Sequence, residues 1–292
     1  MRVVYTADLH GQMALYEALR ALVQTVRAQA LVLGGDLCPN HPDPYQGLTL
    51  QRQFVLTQLG PWLRRISAET DVRAVYALLG NEDWDATADL FADLAHEGLY
   101  HPLHEQVEHL TRRLWIAGCS YVPVTPFHAK DWDRREGVEP EPPFPATGGL
   151  RSTGGLLHPV TPARLEALPS IAATLDALAQ RSDPARTIYV CHSPPYGTAL
   201  DRLRDATPVG SRAMRAFIDQ RQPLMTLHGH IHESPAVSGH YAEQLGRTLA
   251  VNPGSDGRTL HAVVFDTTDL IGTLNHTRYG TFRGANETAI GR

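Results

Sequence analysis

Five short pieces of the chain carry side chains suited to metal chemistry: Asp8-Leu-His10, Gly35-Asp36, Gly80-Asn81, His192 and Gly229-His230-Ile-His232. Together they offer two aspartates, one asparagine and four histidines. Carboxylate oxygen, amide oxygen and neutral imidazole suit borderline divalent cations such as manganese, iron and zinc. Glycines beside Asp36, Asn81 and His230 permit sharp turns and close backbone approach. Alone, an Asp-x-His pair or a Gly-Asp arises in many surface loops. His-x-His says more, because both rings point to one face of an extended segment. Their ordered co-occurrence is the signal.

The elements that must position these residues follow from periodicity. Residues 2–7 read as a strand, and Leu15, Leu19, Leu22, Val23 and Val26 then fall at helical spacings. A short apolar run at 30–33 leads into Gly34-Gly35, 72–79 reads as a strand ended by Gly80, and 48–66 and 86–96 read as helices. This alternation implies α/β architecture with parallel pairing. Right-handed crossovers then place the strand carboxyl ends on one edge, where ligand sites gather. Asp8, Asp36 and Asn81 each lie just beyond a predicted strand, so they can converge. Further on, 163–179 reads as a helix, and 187–191, 224–227, 248–251 and 261–265 as strands. Residues 120–160 are rich in proline and glycine with little periodicity. They are expected to form a long loop insertion within a single domain spanning 1–292, of the kind that serves as a lid or stays disordered. The tail beyond Thr277 is expected to be loosely held, and no internal repeat is visible.

Bulk composition narrows the function classes. Hydrophobic content of 42% and charged content of 20% are ordinary for a globular protein. A formal net charge of −5 argues against a broad basic face gripping extended nucleic acid, and bound divalent cations would offset part of it. Cys38, Cys119 and Cys191 are odd in number and scattered, which predicts reduced thiols in a cytoplasm. The first residues run straight into a strand pattern with no leader, and no apolar stretch approaches the ~18 residues of a membrane span.

The five pieces in this order resemble the calcineurin-like metallophosphoesterase superfamily. CHSPPYGTALD around His192 and HGHIHES around His230 are similar to its Icc-type predicted phosphoesterases, and Asn252-Pro-Gly-Ser resembles another segment common in the superfamily. The resemblance implies a four-layer αββα sandwich of two mixed sheets flanked by helices. It implies two divalent ions, manganese first and iron or zinc as alternatives. Asp8, His10 and His232 would hold one ion, Asn81, His192 and His230 the other, and Asp36 would bridge both. A metal-bridging hydroxide would attack phosphorus, with two ions about 3.5–4 Å apart clamping the phosphate oxygens. A homodimer is a further implication at family level.

One position departs from the pattern. The family motif continues after Gly-Asn with His and then Asp or Glu, whereas Glu82 and Asp83 stand here. In the family that histidine meets substrate phosphate and assists the leaving group. Nearby cations should keep Glu82 ionised, unable to donate a proton and repulsive to a dianionic phosphate. The expected activity is therefore that of a phosphodiesterase on a nucleotide-like small molecule, with Asp36, Asn81, Glu82 and His192 as the catalytic set. The alternative for Glu82 is that it points away and caps the following helix. Asn81 would also bind substrate, and His128 and His158, in the Pro/Gly-rich segment, could swing over the metals or remain solvated. Competing functions are a nuclease of the same superfamily and a metal-binding scaffold with weak catalysis.

Other candidates have plainer explanations. His101, His104 and His109 read as a surface turn and Cys191 as a buried structural thiol. Cys38 reads as a packed loop residue or part of the pocket lining. Arg202, Arg204 and Arg258 read as solvated rather than phosphate-holding. His228 reads as a supporting partner or strand-end residue.

Overall fold

Short, mostly apolar runs alternating with amphipathic helices build the first half of the molecule, seen in a computed structural model that describes residues 1–141 and 148–283. Arg2–Thr6, Ala30–Gly34 and Ala74–Leu78 pair side by side in parallel, with Tyr5 opposite Val32 and Val32 opposite Tyr76. His101–Pro102 extends this sheet on one edge. Val263–Asp266, Asn275–His276 and Gly280–Thr281 extend it on the other, where Val263–Asp266 runs antiparallel to Arg2–Thr6. A second sheet has the order Ala242–Leu245, Thr248–Val251, Met225–Leu227, Thr187–Cys191, Trp115–Cys119 and Val107–His109, and its four central strands are parallel.

Alternation of side chains along each strand sends them to opposite faces and so makes three apolar layers. On the outer face of the first sheet, Val4, Leu31 and Val75 pack under Leu19 of the helix Met13–Val26 and Trp62 of the helix Gly60–Glu69. Their inward neighbours Val3, Tyr5 and Val32 meet Ile116, Ile188 and Leu227 of the second sheet. The outer face of the second sheet, with Ala117, Tyr189 and Ala250, is covered by Leu175 of Ile171–Gln180 and Phe217 of Arg212–Arg221. The result is helix, sheet, sheet, helix: the sandwich that the resemblance implied.

Four local expectations require correction. The helix expected at 163–179 is two helices, Pro162–Glu166 and Ile171–Gln180, because Pro169 cannot continue the first and Ser170 caps the second. The segment 120–160 is not a structureless loop over its described residues. Gly149–Thr153 and Leu156–Val160 form an antiparallel hairpin, and Lys130 and Asp133 are a buried ion pair at 2.7 Å. Asp131 accepts the amides of Asp85 at 2.9 Å and Ser152 at 2.8 Å. Glu136 accepts from the Ser211 hydroxyl and from the amides of Arg212 and Ala213, capping the helix that follows. Residues 142–147 lie outside the described residues. The tail beyond Thr277 begins in the sheet, since Gly280–Thr281 pairs with Asn275–His276; residues 284–292 lie outside the described residues. His101, His104 and His109 do not share a turn: the first and last sit on different strands, and His104 Nδ1 accepts the Ser120 amide at 3.1 Å.

Candidate metal centre

Parallel strands deliver the candidate ligands to one edge. Asp8 follows Arg2–Thr6, Asp36 follows Ala30–Gly34 and Asn81 follows Ala74–Leu78. From the second sheet, His192 directly follows Thr187–Cys191, and His230 and His232 follow Met225–Leu227. The loops are sewn together by backbone hydrogen bonds, Asp8 to Gly35 at 3.0 Å, His10 to Asp36 at 2.9 Å and Gly229 to His192 at 2.9 Å. Asp8, His10, Asp36 and His230 all hold left-handed backbone, with φ of 58°, 45°, 52° and 67°. Non-glycine residues rarely adopt it, so strain is concentrated at four candidate ligands. Glycine is required beside them: a Cβ on Gly80 would overlap the Asp36 carboxylate, and one on Gly229 would lie 2.7 Å from Asp8 Oδ2.

The side chains converge. His192 Nε2 lies 3.3 Å from Asp36 Oδ2 and 4.0 Å from Asp8 Oδ1. His232 Nε2 lies 3.6 Å from Asp8 Oδ1 and 3.2 Å from His10 Nε2. Asp8, His10, Asp36 and His232 each offer one atom within a set spanning 4.8 Å. The His192 and His230 rings are 5.4 Å apart, centroid to centroid. His192 Nδ1 donates to the Gly34 carbonyl at 2.8 Å, which turns Nε2 toward the cluster.

Electrostatics indicate that the cluster needs positive charge. Burial works against protonating His192 and His232, yet the adjacent carboxylates of Asp36 and Asp8 push both up to about 9. Burial likewise opposes ionisation of Asp8, but His232 and His192 hold it below the ordinary carboxylate range. His230 goes the other way: burial and the neighbouring His192 take it down to about 3, leaving a neutral ring with a lone pair. Asp8 Oδ2, Asn81 Oδ1 and His192 Nε2 are buried without a hydrogen-bond partner. Three orphaned donor atoms at one place demand an explanation. A divalent cation would provide it, since carboxylate, amide and imidazole donors are what such an ion takes.

Glu82 does not point away and does not cap the helix Ala88–His96. Its carboxylate lies 3.3 Å from His10 Nδ1 and hydrogen-bonds the Asn40 amide, while its own amide donates to Asp36 Oδ1 at 2.9 Å. Burial and the Asp36 charge raise it to about 7. It borders a cavity of about 410 Å³ that also touches Asp36, Asn81, His230 and His232. Residues 123–127 form one wall of this cavity, so the segment 120–160 contributes to the site. His128 is exposed and lines an adjoining cavity rather than this one. His158 is exposed on the hairpin opposite Arg151 and lines neither.

His228 is buried between the Cys191 carbonyl and the Thr226 hydroxyl, 2.8 Å from each. Cys38, Cys119 and Cys191 are buried free thiols, and neither Cys38 nor Arg202, Arg204 or Arg258 lines the cavity.

Sequence reasoning named Asp83 and Asn252 only as motif positions and missed that they hold the candidate-ligand loops. The buried Asp83 carboxylate accepts the amides of Leu37 at 3.0 Å, Cys38 at 2.8 Å and Gly80 at 2.9 Å. Asn252 donates to the carbonyls of Leu200 at 3.0 Å and Ile231 at 3.1 Å. The motif position of Asp83 was the only available signal for it.

Residues 1–234 match the family model described as calcineurin-like phosphoesterase. A solved structure from Thermus thermophilus is similar with a TM-score of 0.58 at 19% identity, over 91% of this chain and 93% of that one. A Danio rerio structure described as a dimetal phosphatase is similar with a TM-score of 0.54 at 12% identity, over 90% and 91%. At these identities the likeness shows the fold. No curated protein matches the chain. Among the described residues, no helix is long and apolar enough to cross a membrane.

Proposed function

We propose that this chain, which belongs to the calcineurin-like phosphoesterase family, hydrolyses phosphodiesters of nucleotide type at a dinuclear metal centre. Asp8, His10 and His232 would hold one ion and Asn81, His192 and His230 the other, with the Asp36 carboxylate available to either. The observation that carries this reading is the approach of His192 Nε2 to within 3.3 Å of the Asp36 carboxylate, beside orphaned atoms of Asp8 and Asn81. Manganese is the first choice, with iron or zinc as alternatives.

Ions held there would supply Lewis acidity toward the phosphate oxygens. The chain supplies the rest. Asp8 and Asp36 place two negative charges in a buried cluster, and Gly34 fixes the His192 ring through Nδ1. Cations held beside it would offset the burial and the Asp36 charge that raise Glu82 to about 7; ionised on the cavity border, it would then repel a second phosphate charge, so the site would select monoanionic diesters over dianionic monoesters. Among the described residues no lysine or arginine lines this cavity. That disfavours the nuclease alternative, which needs a basic track along the backbone.

The test is turnover of bis-p-nitrophenyl phosphate against p-nitrophenyl phosphate with added manganese. The reading expects the diester to be preferred and Asp36→Asn to abolish both activities. Metal bound without turnover of either ester would instead describe a scaffold.

A further inference from the structure

A second cavity, of about 300 Å³, adjoins the one at the metal centre. The two share Glu82, Pro126 and Phe127, so those residues form the ridge between them. The second cavity is otherwise lined by Asn40, His41, Gly47, Trp84 and His128, among others. Its floor is rigid. Trp84 is buried in a small core with Leu48, Ala86 and Leu157. Gln51, which also lines the cavity, donates to the Glu82 carbonyl at 2.7 Å and accepts the Trp84 amide at 2.8 Å. Phe127, by contrast, is a large apolar ring left 48% exposed on the ridge.

A phosphodiester has two ester substituents on one phosphorus. A phosphate beside Glu82 at the ridge would direct one substituent to each side. We propose that the second cavity is the subsite for the other ester substituent of the substrate, and that this substituent is a neutral, planar group. Among the described residues no lysine or arginine lines either cavity, so neither is built for a further phosphate. Aromatic and proline surfaces with the polar edges of Asn40, His41 and His128 suit a flat ring bearing hydrogen-bonding atoms, as in a nucleoside. This inference deepens the phosphodiesterase reading and rests on it.

Binding to the manganese-loaded protein, measured by titration calorimetry, tests it without turnover. Diphenyl phosphate carries two rings, and methyl phenyl phosphate carries one with the same charge. Burial of the second ring should make diphenyl phosphate bind about tenfold more tightly. Gly47 lines the subsite, and a Cβ added there meets nothing closer than 3.6 Å, so the helix accepts a side chain. Gly47→Leu fills the space and should shrink the gap below about threefold, while Gly47→Ala should keep most of it. Phe127→Ala should shrink it independently. Equal affinities in the natural protein, or a gap that survives both Gly47→Leu and Phe127→Ala, would overturn the subsite. A gap in binding with neither ester hydrolysed upholds the subsite and overturns the phosphodiesterase reading alone.

Discussion

The Asp83 carboxylate accepts the Cys38 amide at 2.8 Å and so ties the loop that carries Asp36 to the loop that carries Asn81. The same side chain accepts the Gly80 and Leu37 amides. Asp83→Ala leaves three buried donors unpaired, each costing about 1–3 kcal/mol. The expected loss is therefore ~3 kcal/mol or more in urea unfolding, with metal content falling alongside. A loss below ~1 kcal/mol would show that the loops hold their places without it.

Lys130 and Asp133 are buried at 2% and 0% exposure, 2.7 Å apart. Lys130→Met strands the Asp133 charge and should destabilise the fold by about 3–5 kcal/mol. Lys130→Met with Asp133→Leu should recover much of that loss. Equal stability of the single variant and the natural protein would mean that this ion pair contributes nothing to the global fold.

Glu82 predicts a change of selectivity. Removing its charge in Glu82→Gln should lower the ratio of diester to monoester kcat/KM by about tenfold, the equivalent of ~1.4 kcal/mol of charge repulsion. An unchanged ratio would relieve Glu82 of any role in substrate choice.

His276 sets a pH dependence. Its ring is buried, donates from Nε2 to the Pro253 carbonyl at 3.0 Å and accepts the Arg278 and Tyr279 amides at Nδ1. Burial first, then the nearby His261 and Arg278, take it down to about 4. The unfolded chain, with an ordinary histidine near 6.5, therefore holds the extra proton between about pH 6.5 and 4. The neutral ring's contribution is whole above that window and is lost as pH falls through it, by about 3 kcal/mol in all. The stability difference between the natural protein and His276→Gln, followed by denaturant titration from pH 7 to 4.5, should shrink by that trend. A difference independent of pH would contradict it.

Much of this was legible in the chain because candidate ligands and strand ends coincide. Asp36 and Asn81 each follow a glycine after an apolar run, and that pattern alone places them at a sheet edge. Glycine is needed there because a side chain at Gly80 would overlap Asp36. The segment 120–160 was illegible because its order comes from buried polar contacts, Lys130 with Asp133, Asp131 with Ser152 and Glu136 with Ser211, which leave no periodic trace. The role of Asp83 was illegible for a related reason: its partners are backbone amides, which look alike in every sequence. The Glu82 side chain faces His10 rather than the helix that follows, a choice decided by Asn40 forty-two residues away.

The most direct test is anomalous scattering from crystals of the manganese-loaded protein at the manganese edge. The account predicts two peaks that both touch the Asp36 carboxylate, one shared with Asp8, His10 and His232 and the other with Asn81, His192 and His230. A fully loaded crystal with no peak at Asp36, or with peaks only elsewhere, would contradict it.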